Sequence, residues 1–284
     1  MNQPLKINLT KELLELENFI IHRSCEIEQW FRTQWVENQA PFYGSVDLRN
    51  SGFKLAPVDM NLFPGGFNNL NPDFSPLAIQ ASSVAIEKVC PEAKRVLIIP
   101  EKHTRNLFYL KNLYQLKEIL KNSGLEVRIG SVDTSILEST NIDIDENQFI
   151  TIEPISRRED FLFLKNKDGT EFIPCSIILN NDLSGGVPEI IKNLGQQIIP
   201  PINAGWPTRK KSSHFHFYSQ VAKEFSILTN SDPWLIDPLS EKLDNLDFSA
   251  GEGEDRLVHT IDTLLGQIQK KYNEYNISQD PYVV

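Results

Sequence analysis

The stretch RVLIIPEKHTRNLFYLKNLYQLKEILKNSGLEVRI, residues 95–129, decides the fold. Arg95–Pro100 is a short unbroken apolar run, the pattern of a strand buried on both faces. A helix follows from about Leu107 to Asn122 and is stopped by Ser123-Gly124; Leu125–Ile129 supplies the next strand. Strand, loop, helix and strand in that order define an open α/β sheet, in which ligands gather at the carboxyl ends of the strands. His103, Thr104, Arg105 and Asn106 therefore stand where a site would form. The same residues also suit a helix N-cap region with Arg105 solvated, and the two readings stay open.

Downstream, Ser176–Leu179 is another buried strand, and it ends in Asn180-Asn181-Asp182-Leu183-Ser184-Gly185-Gly186. Amides and an acid at a strand end, then two glycines and an expected helix over Pro188–Leu194, suit a loop that cradles phosphate or carboxylate. No Gly-Lys-Ser/Thr follows, and the glycines do not make the GxGxxG dinucleotide fingerprint. Between the two buried strands, about 141–174 reads as a β insertion. It holds a strand at Gln148–Ile152 and a hairpin of Phe161–Leu164 with Glu171–Ile173 around Asn166-Lys167-Asp168-Gly169.

Upstream, apolar residues from Leu13 to Trp35 recur at helical spacing, with Thr10 as N-cap and a break near His22–Ser24. Tyr43–Leu48 has β character and feeds a long irregular segment, Phe42–Phe74, in which no strand is expected past Leu48. This segment carries Asp47, Arg49, Lys54, Asp59, Asn50, Asn61, Asn68, Asn69 and Asn71 among aromatic, glycine and proline residues. Aromatic bodies anchor such a loop while amides and charges of both signs face something polar. Asparagines that only close their own Asx-turns would give the same composition. Ser75-Pro76 then opens a helix.

Near the other end, Gly205–His216 is a dense basic cluster; Arg209, Lys210 and Lys211 there read as an anion site or as a solvated helix start. A helix follows over Phe215–Leu228, and a last one over about Gly253–Tyr275. The final Asp280–Val284 reads as a turn opening a further strand, so a continuation is expected.

With 284 residues the chain has ample core for one large or two ordinary domains. A net charge of −10 leaves no electrostatic footprint for nucleic acid. No apolar run approaches the roughly 20 residues of a membrane span, and no secretory leader is visible. Cys25, Cys90 and Cys175 lack ligand spacing and read as reduced thiols of a cytoplasmic protein.

SVDLRNSGFKLAPVDMNLFPGGFNNLNPDF (45–74), EKHTRNLFYL (101–110), LNNDLSGGVPEI (179–190), GWPTRKKSSHF (205–215) and DPWLIDP (232–238) together resemble the proteobacterial-type glutamate–cysteine ligases, whose C-terminal half is an ATP-grasp domain. The resemblance runs through nearly the whole chain, but the glycine-rich loop over ATP and the acidic magnesium ligands of such enzymes are not in these residues. It implies an open, mostly parallel α/β sheet of pre-ATP-grasp, Rossmann-like type, with helices on both faces and a small β-hairpin insertion. The expected divisions are a helical segment at 1–40, an α/β substrate domain at 41–205, and a helical segment at 206–284 leading into the ATP-grasp half. The implied reaction is ATP-dependent ligation of the γ-carboxylate of glutamate to cysteine, with ATP and Mg2+ bound mainly by the absent half and this portion inactive alone.

Within that reading, Arg49 and Lys54 take carboxylate or phosphate oxygens as catalytic groups. Asp47, Asn50, Asp59, Asn61, Asn68, Asn69, Arg105, Asn181 and Asp182 bind substrate, and Arg209, Lys210 and Lys211 face phosphates. No metal ligand is expected in this chain. Partners would be glutamate, cysteine and ATP, with neither nucleic acid nor membrane, and self-association is possible. A non-catalytic α/β ligand-binding or interaction module is the alternative.

Overall fold

The structure, a computed structural model, describes residues 10–102 and 106–281. In chain order the helices are α1 (Lys11–His22), α2 (Ser24–Glu37), α3 (Ser75–Val89), α4 (Leu107–Asn122), α5 (Lys211–Thr229) and α6 (Glu254–Glu274). The strands are β1 (Ser45–Asn50), β2 (Leu55–Asn61), β3 (Arg95–Pro100), β4 (Glu126–Ser131), β5 (Thr140–Asp145), β6 (Gln148–Pro154), β7 (Ser156–Arg158), β8 (Phe161–Lys165), β9 (Glu171–Phe172), β10 (Ser176–Asn180) and β11 (Gln197–Ile199). The chain forms two compact units, one of residues 1–30, 47–59 and 210–284, the other of 31–46 and 60–209.

The second unit is built on one sheet in the order β11-β10-β3-β4-β6-β5, parallel throughout except for the β5–β6 edge. The middles of β3 and β10 are apolar because both faces are covered: Val96, Leu97 and Ile98 in β3 and Ile177, Ile178 and Leu179 in β10 are fully buried. On one face Val96, Ile98, Ile129, Ile152 and Ile178 pack against Leu110, Leu113, Leu116 and Leu120 of α4 and Ile86 of α3. On the other face Leu97, Ile99, Ile177 and Leu179 meet Leu162 and Leu164 of β8, Phe172 of β9, and Ile191. The small antiparallel β7-β8-β9 sheet thus occupies, within this unit, a layer where a helix was expected. Its β8–β9 turn is the one read from Asn166–Gly169, with Gly169 at φ +85° and the Asn166 N–H donating to the Thr170 carbonyl. Arg128 of β4 pairs with Glu153 of β6, donates to Asn166 Oδ1 at 2.6 Å, and lies 4.9 Å from the Phe172 ring centre.

Two sequence expectations fail here. The segment after Gly185-Gly186 forms only a 3-10 turn, Glu189–Ile191, so those glycines do not lead into a helix. And β2 exists where no strand was expected: Pro57 cannot donate to a ladder, but β2 pairs only with β1 in a two-stranded sheet, where such a residue is tolerated.

The first unit holds α1, α5 and α6. The Thr10 hydroxyl caps α1 by accepting from the Leu13 N–H, and Arg23 ends that helix, as the break near His22–Ser24 required. Leu13, Leu16, Leu235, Trp234 and Tyr272 form its core, with Phe53 stacked on Trp234 at 6.0 Å and Tyr275 stacked on its ring at 5.0 Å. Burying aromatic rings of this size contributes several kcal/mol, on the order of 2–3 per side chain.

Candidate functional site

In the sheet-based unit, β3 and β10 end side by side, Pro100 opposite Asn180. Beyond their carboxyl ends lies a cleft of 270 Å³ lined by Glu101, Lys102, Asn181, Ser184, Gly185 and Gly186, among others. The loop keeps its shape through two Asx-turns: Asn181 Oδ1 accepts from the Leu183 N–H at 2.9 Å and Asp182 Oδ1 from the Ser184 N–H at 2.8 Å. Leu183 adopts φ +62° and Gly186 φ +88°, and the Gly186 N–H closes the turn on the Leu183 carbonyl. The Asp182 carbonyl accepts from the Trp206 N–H at 2.9 Å, holding the loop from behind.

Asn180, 4% exposed, was read from sequence only as one of the amides at this strand end. Its Nδ2 donates to the Pro64 carbonyl, while its own carbonyl accepts from the Tyr109 hydroxyl at 3.1 Å. That hydroxyl in turn accepts from the Glu101 N–H at 2.8 Å, and burial holds it well above the usual phenol range. Asn180 Oδ1 is buried with no partner among the described residues. The Phe63–Asn69 turn is fixed at two more points: the Phe67 N–H donates to Asn112 Oδ1 at 2.9 Å, and the Tyr43 hydroxyl donates to the Gly65 carbonyl. Asn61 and Asn69 stay exposed on this segment, and Asn68 Nδ2 donates to Asn69 Oδ1 at 3.1 Å. Arg209 belongs to the same unit, where its guanidinium donates to the Met60 carbonyl and secures the end of β2. Arg105 lies outside the described residues, as do His103 and Thr104.

The remaining candidates lie in the helical unit. Asp47 and Arg49 are exposed on β1, two residues apart and so on one face of the strand. Asn50, also exposed, uses its Oδ1 to accept from the Gly52 N–H at 2.9 Å, shaping the β1–β2 turn. Asp59 and Lys211 form an ion pair at 3.3 Å, and Lys210 is the exposed residue before α5. Lys54 has a different setting: its Nζ donates to the Asp237 carbonyl at 2.5 Å and lies 4.7 Å from the Trp234 ring centre. Burial pulls its pKa down to about 8, against the opposing pull of Asp237 and Asp232. Next to it Asp232 accepts from Lys271 Nζ, from the Tyr275 hydroxyl at 2.8 Å and from the Trp234 N–H at 2.9 Å. Burial pushes the Asp232 carboxyl up, but these donors outweigh it and its pKa lies below the ordinary value. The motif Asp232–Pro238 is thus a structural knot, and a cleft of 470 Å³ lies over it, between residues of α5 and α6 such as Lys223, Gln267 and Lys270.

Among the described residues no group of three or more His, Cys, Asp or Glu side chains could hold a metal ion. The strand-tip cleft has the volume of a small metabolite, just below the roughly 300 Å³ at which drug-sized pockets begin. No helix among the described residues is long and apolar enough to cross a membrane.

An open, mostly parallel sheet with a polar loop at its strand tips defines an α/β protein, and the family follows from comparison. The profile of GshA, glutamate-cysteine ligase, matches residues 17–284, and the chain belongs to that family. A crystal structure of a Methylobacillus flagellatus KT protein that carries the name gamma-glutamylcysteine synthetase is similar at 51% identity and a TM-score of 0.89, covering 98% of this chain. The chain spans 64% of that protein's length. A glutathione synthetase-like effector of Globodera pallida, in its apo form, is 13% identical over 81% of this chain and 59% of its own, with a TM-score of 0.36, too low to bear on the fold. No curated protein matches the chain.

Proposed function

We propose that this chain is the substrate-side part of an enzyme that joins the γ-carboxylate of glutamate to the amine of cysteine at the expense of ATP, forming γ-glutamylcysteine on the way to glutathione. Membership of the family supports the reaction class, and the strand-tip cleft is the observation that carries the reading. Its volume suits an amino acid, and it stands where open α/β sheets bind ligands. In this reading Lys102 takes a substrate carboxylate, and Glu101 with Asp182 faces the ammonium group. Amide groups of Asn181 and of the Phe63–Asn69 turn orient the side chain.

Asp47 and Arg49 are proposed to meet opposite charges on the substrates, since neither makes an ion pair among the described residues and both face outward. Asp59 with Lys211, Lys210 and the amides of Asn50 and Asn61 complete the candidate set. Lys54 and Arg209 are committed to carbonyls of their own units, so their proposed contribution is to hold the β1–β2 hairpin in shape. ATP would supply the phosphoryl group that turns the γ-carboxylate into an acyl phosphate, a mixed anhydride from which the cysteine amine would displace phosphate; no step is assigned to Mg2+ on the residues described.

The test is ATP-dependent formation of γ-glutamylcysteine by the complete enzyme from glutamate and cysteine, followed by mass spectrometry. The reading predicts product only with both amino acids present, and none from the 284-residue chain assayed alone. Phosphate release without a γ-glutamyl product would refute the substrate assignment.

A further inference from the structure

The 470 Å³ cleft over the Asp232–Pro238 knot is lined wholly by the helical unit and takes no part in the proposed ligation. Its volume lies within the roughly 300–1,000 Å³ of small-molecule sites. Pro233, Trp234 and Leu239 give it an apolar lining, and Trp234 is fixed by its stacking on Phe53 and Tyr275. The charged groups around it fall into two sets. Each acid that lines it is committed inside the protein. Asp232 accepts from Lys271, Tyr275 and the Trp234 N–H, and Glu274 pairs with Lys271 at 3.0 Å. Asp237 Oδ2 accepts from the Ser219 hydroxyl at 2.7 Å, its other oxygen is buried, and the Lys54 ammonium sits on its carbonyl. The donors are the reverse. Lys223 of α5 and Gln267 and Lys270 of α6 are exposed, and their side chains make no hydrogen bond or ion pair among the described residues. Gln267 and Lys270 stand three apart, on one face of α6, while Lys223 lines the cleft from α5. A chain of net charge −10 thus keeps two ammonium groups and an amide unpaired around one apolar cavity.

We propose that this cleft binds an organic anion, its carboxylate or phosphate head held by Lys223, Lys270 and Gln267 and its apolar body laid on Pro233, Trp234 and Leu239. The head gains charge-assisted hydrogen bonds from groups that have no protein partner to give up, so binding breaks no existing pair. The body removes apolar surface from water, which a bare inorganic anion cannot do. A cationic ligand of the same shape meets two ammonium groups, while the acids facing it already hold donors of their own. The cleft therefore selects for negative charge joined to an apolar group.

The experiment titrates the chain with phenyl phosphate, benzoate, benzyl alcohol and benzylamine, followed by saturation-transfer NMR. Phenyl phosphate or benzoate should bind saturably and at least about fivefold tighter than the alcohol or the amine, and the tighter of the two names the head group. Inorganic phosphate should displace it only weakly, because it lacks the apolar body. Combining Lys223→Ala with Lys270→Ala should weaken the anion about tenfold or more at unchanged Tm, since both side chains are exposed. Should that variant not fold, Gln267→Glu sets a carboxylate against the head and should give the same loss. The proposal is overturned if neither anion binds, if benzyl alcohol binds as tightly, or if the folded variant binds the anion as well as the parent does.

Discussion

Asn180, the last residue of β10, donates its side-chain amide to the carbonyl of Pro64 and so fastens the Phe63–Asn69 turn to the tip of the central sheet. The bond is buried, and Asn112 and Tyr43 hold the same turn from two other directions. A polar turn is thereby kept rigid beside the strand ends, where a substrate needs fixed partners rather than mobile ones.

Asn180→Ala removes that donor and leaves the Pro64 carbonyl unpaired. The expected cost is about 1–3 kcal/mol of stability, read from urea unfolding, because a buried acceptor loses its partner. In the complete enzyme KM for glutamate should rise several-fold. A variant as stable as the parent, with unchanged KM, would mean that the turn is held without Asn180.

Arg128→Ala should be among the more damaging changes in the sheet-based unit. Its side chain is 19% exposed and that of Glu153 13%, so the variant leaves a largely buried carboxylate without its cation. A loss of about 3 kcal/mol is expected in denaturant midpoints. Adding Glu153→Gln should recover part of it, since the stranded charge is then gone; no recovery would show that the Phe172 and Asn166 contacts matter more.

Lys54 makes stability depend on alkaline pH. Its folded pKa of about 8 lies below the ordinary 10.5, so between those values the unfolded chain binds more protons and stability rises with pH. The gain should reach at most roughly 3 kcal/mol across that window, at 1.36 kcal/mol per pKa unit. Tyr218, pushed up to about 12 by burial, works in the opposite direction above pH 10, so the comparison must be differential. The stability difference between Lys54→Met and wild type should change with pH from 7.5 to 9.5, in favour of the wild type at the higher value. A constant difference would place the Lys54 ammonium in water.

Asp232 carries the opposite dependence. Its carboxyl is held below the ordinary value, so its contribution is present above about pH 4 and lost as pH falls through the lowered pKa. Asp232→Asn should cost about 2 kcal/mol at pH 7, where it breaks charge-assisted bonds to Lys271 and Tyr275. That cost should shrink as pH falls through the lowered pKa and the wild-type carboxyl also becomes neutral; a cost independent of pH would assign the effect to shape alone.

These residues also show how far the sequence could be read. β3, α4, β4 and β10 were legible because a strand buried on both faces writes itself as an unbroken apolar run, and a Ser-Gly pair stops the helix between them. β2 was hidden by Pro57 and by flanking charges, whose placement makes sense only in an isolated hairpin. The cleft loop was legible as polar residues at a strand tip, but the amides of Asn181 and Asp182's carboxylate are partly spent on Asx-turns, which no composition reveals. The settings of Asn180 and Lys54 depend on partners far away in the chain, and only the topology supplies them.

The most direct measurement fills the strand-tip cleft without touching the fold. A Cβ built on Gly185 meets no heavy atom within 4 Å, and this glycine is not among those at positive φ, so Gly185→Val should keep the parent Tm. Steady-state kinetics of the complete enzyme carrying Gly185→Val should then show KM for glutamate raised about tenfold or more, since a substrate and an isopropyl group cannot share so small a space. An unchanged glutamate KM in a correctly folded variant would contradict the placement of the amino acid in this cleft.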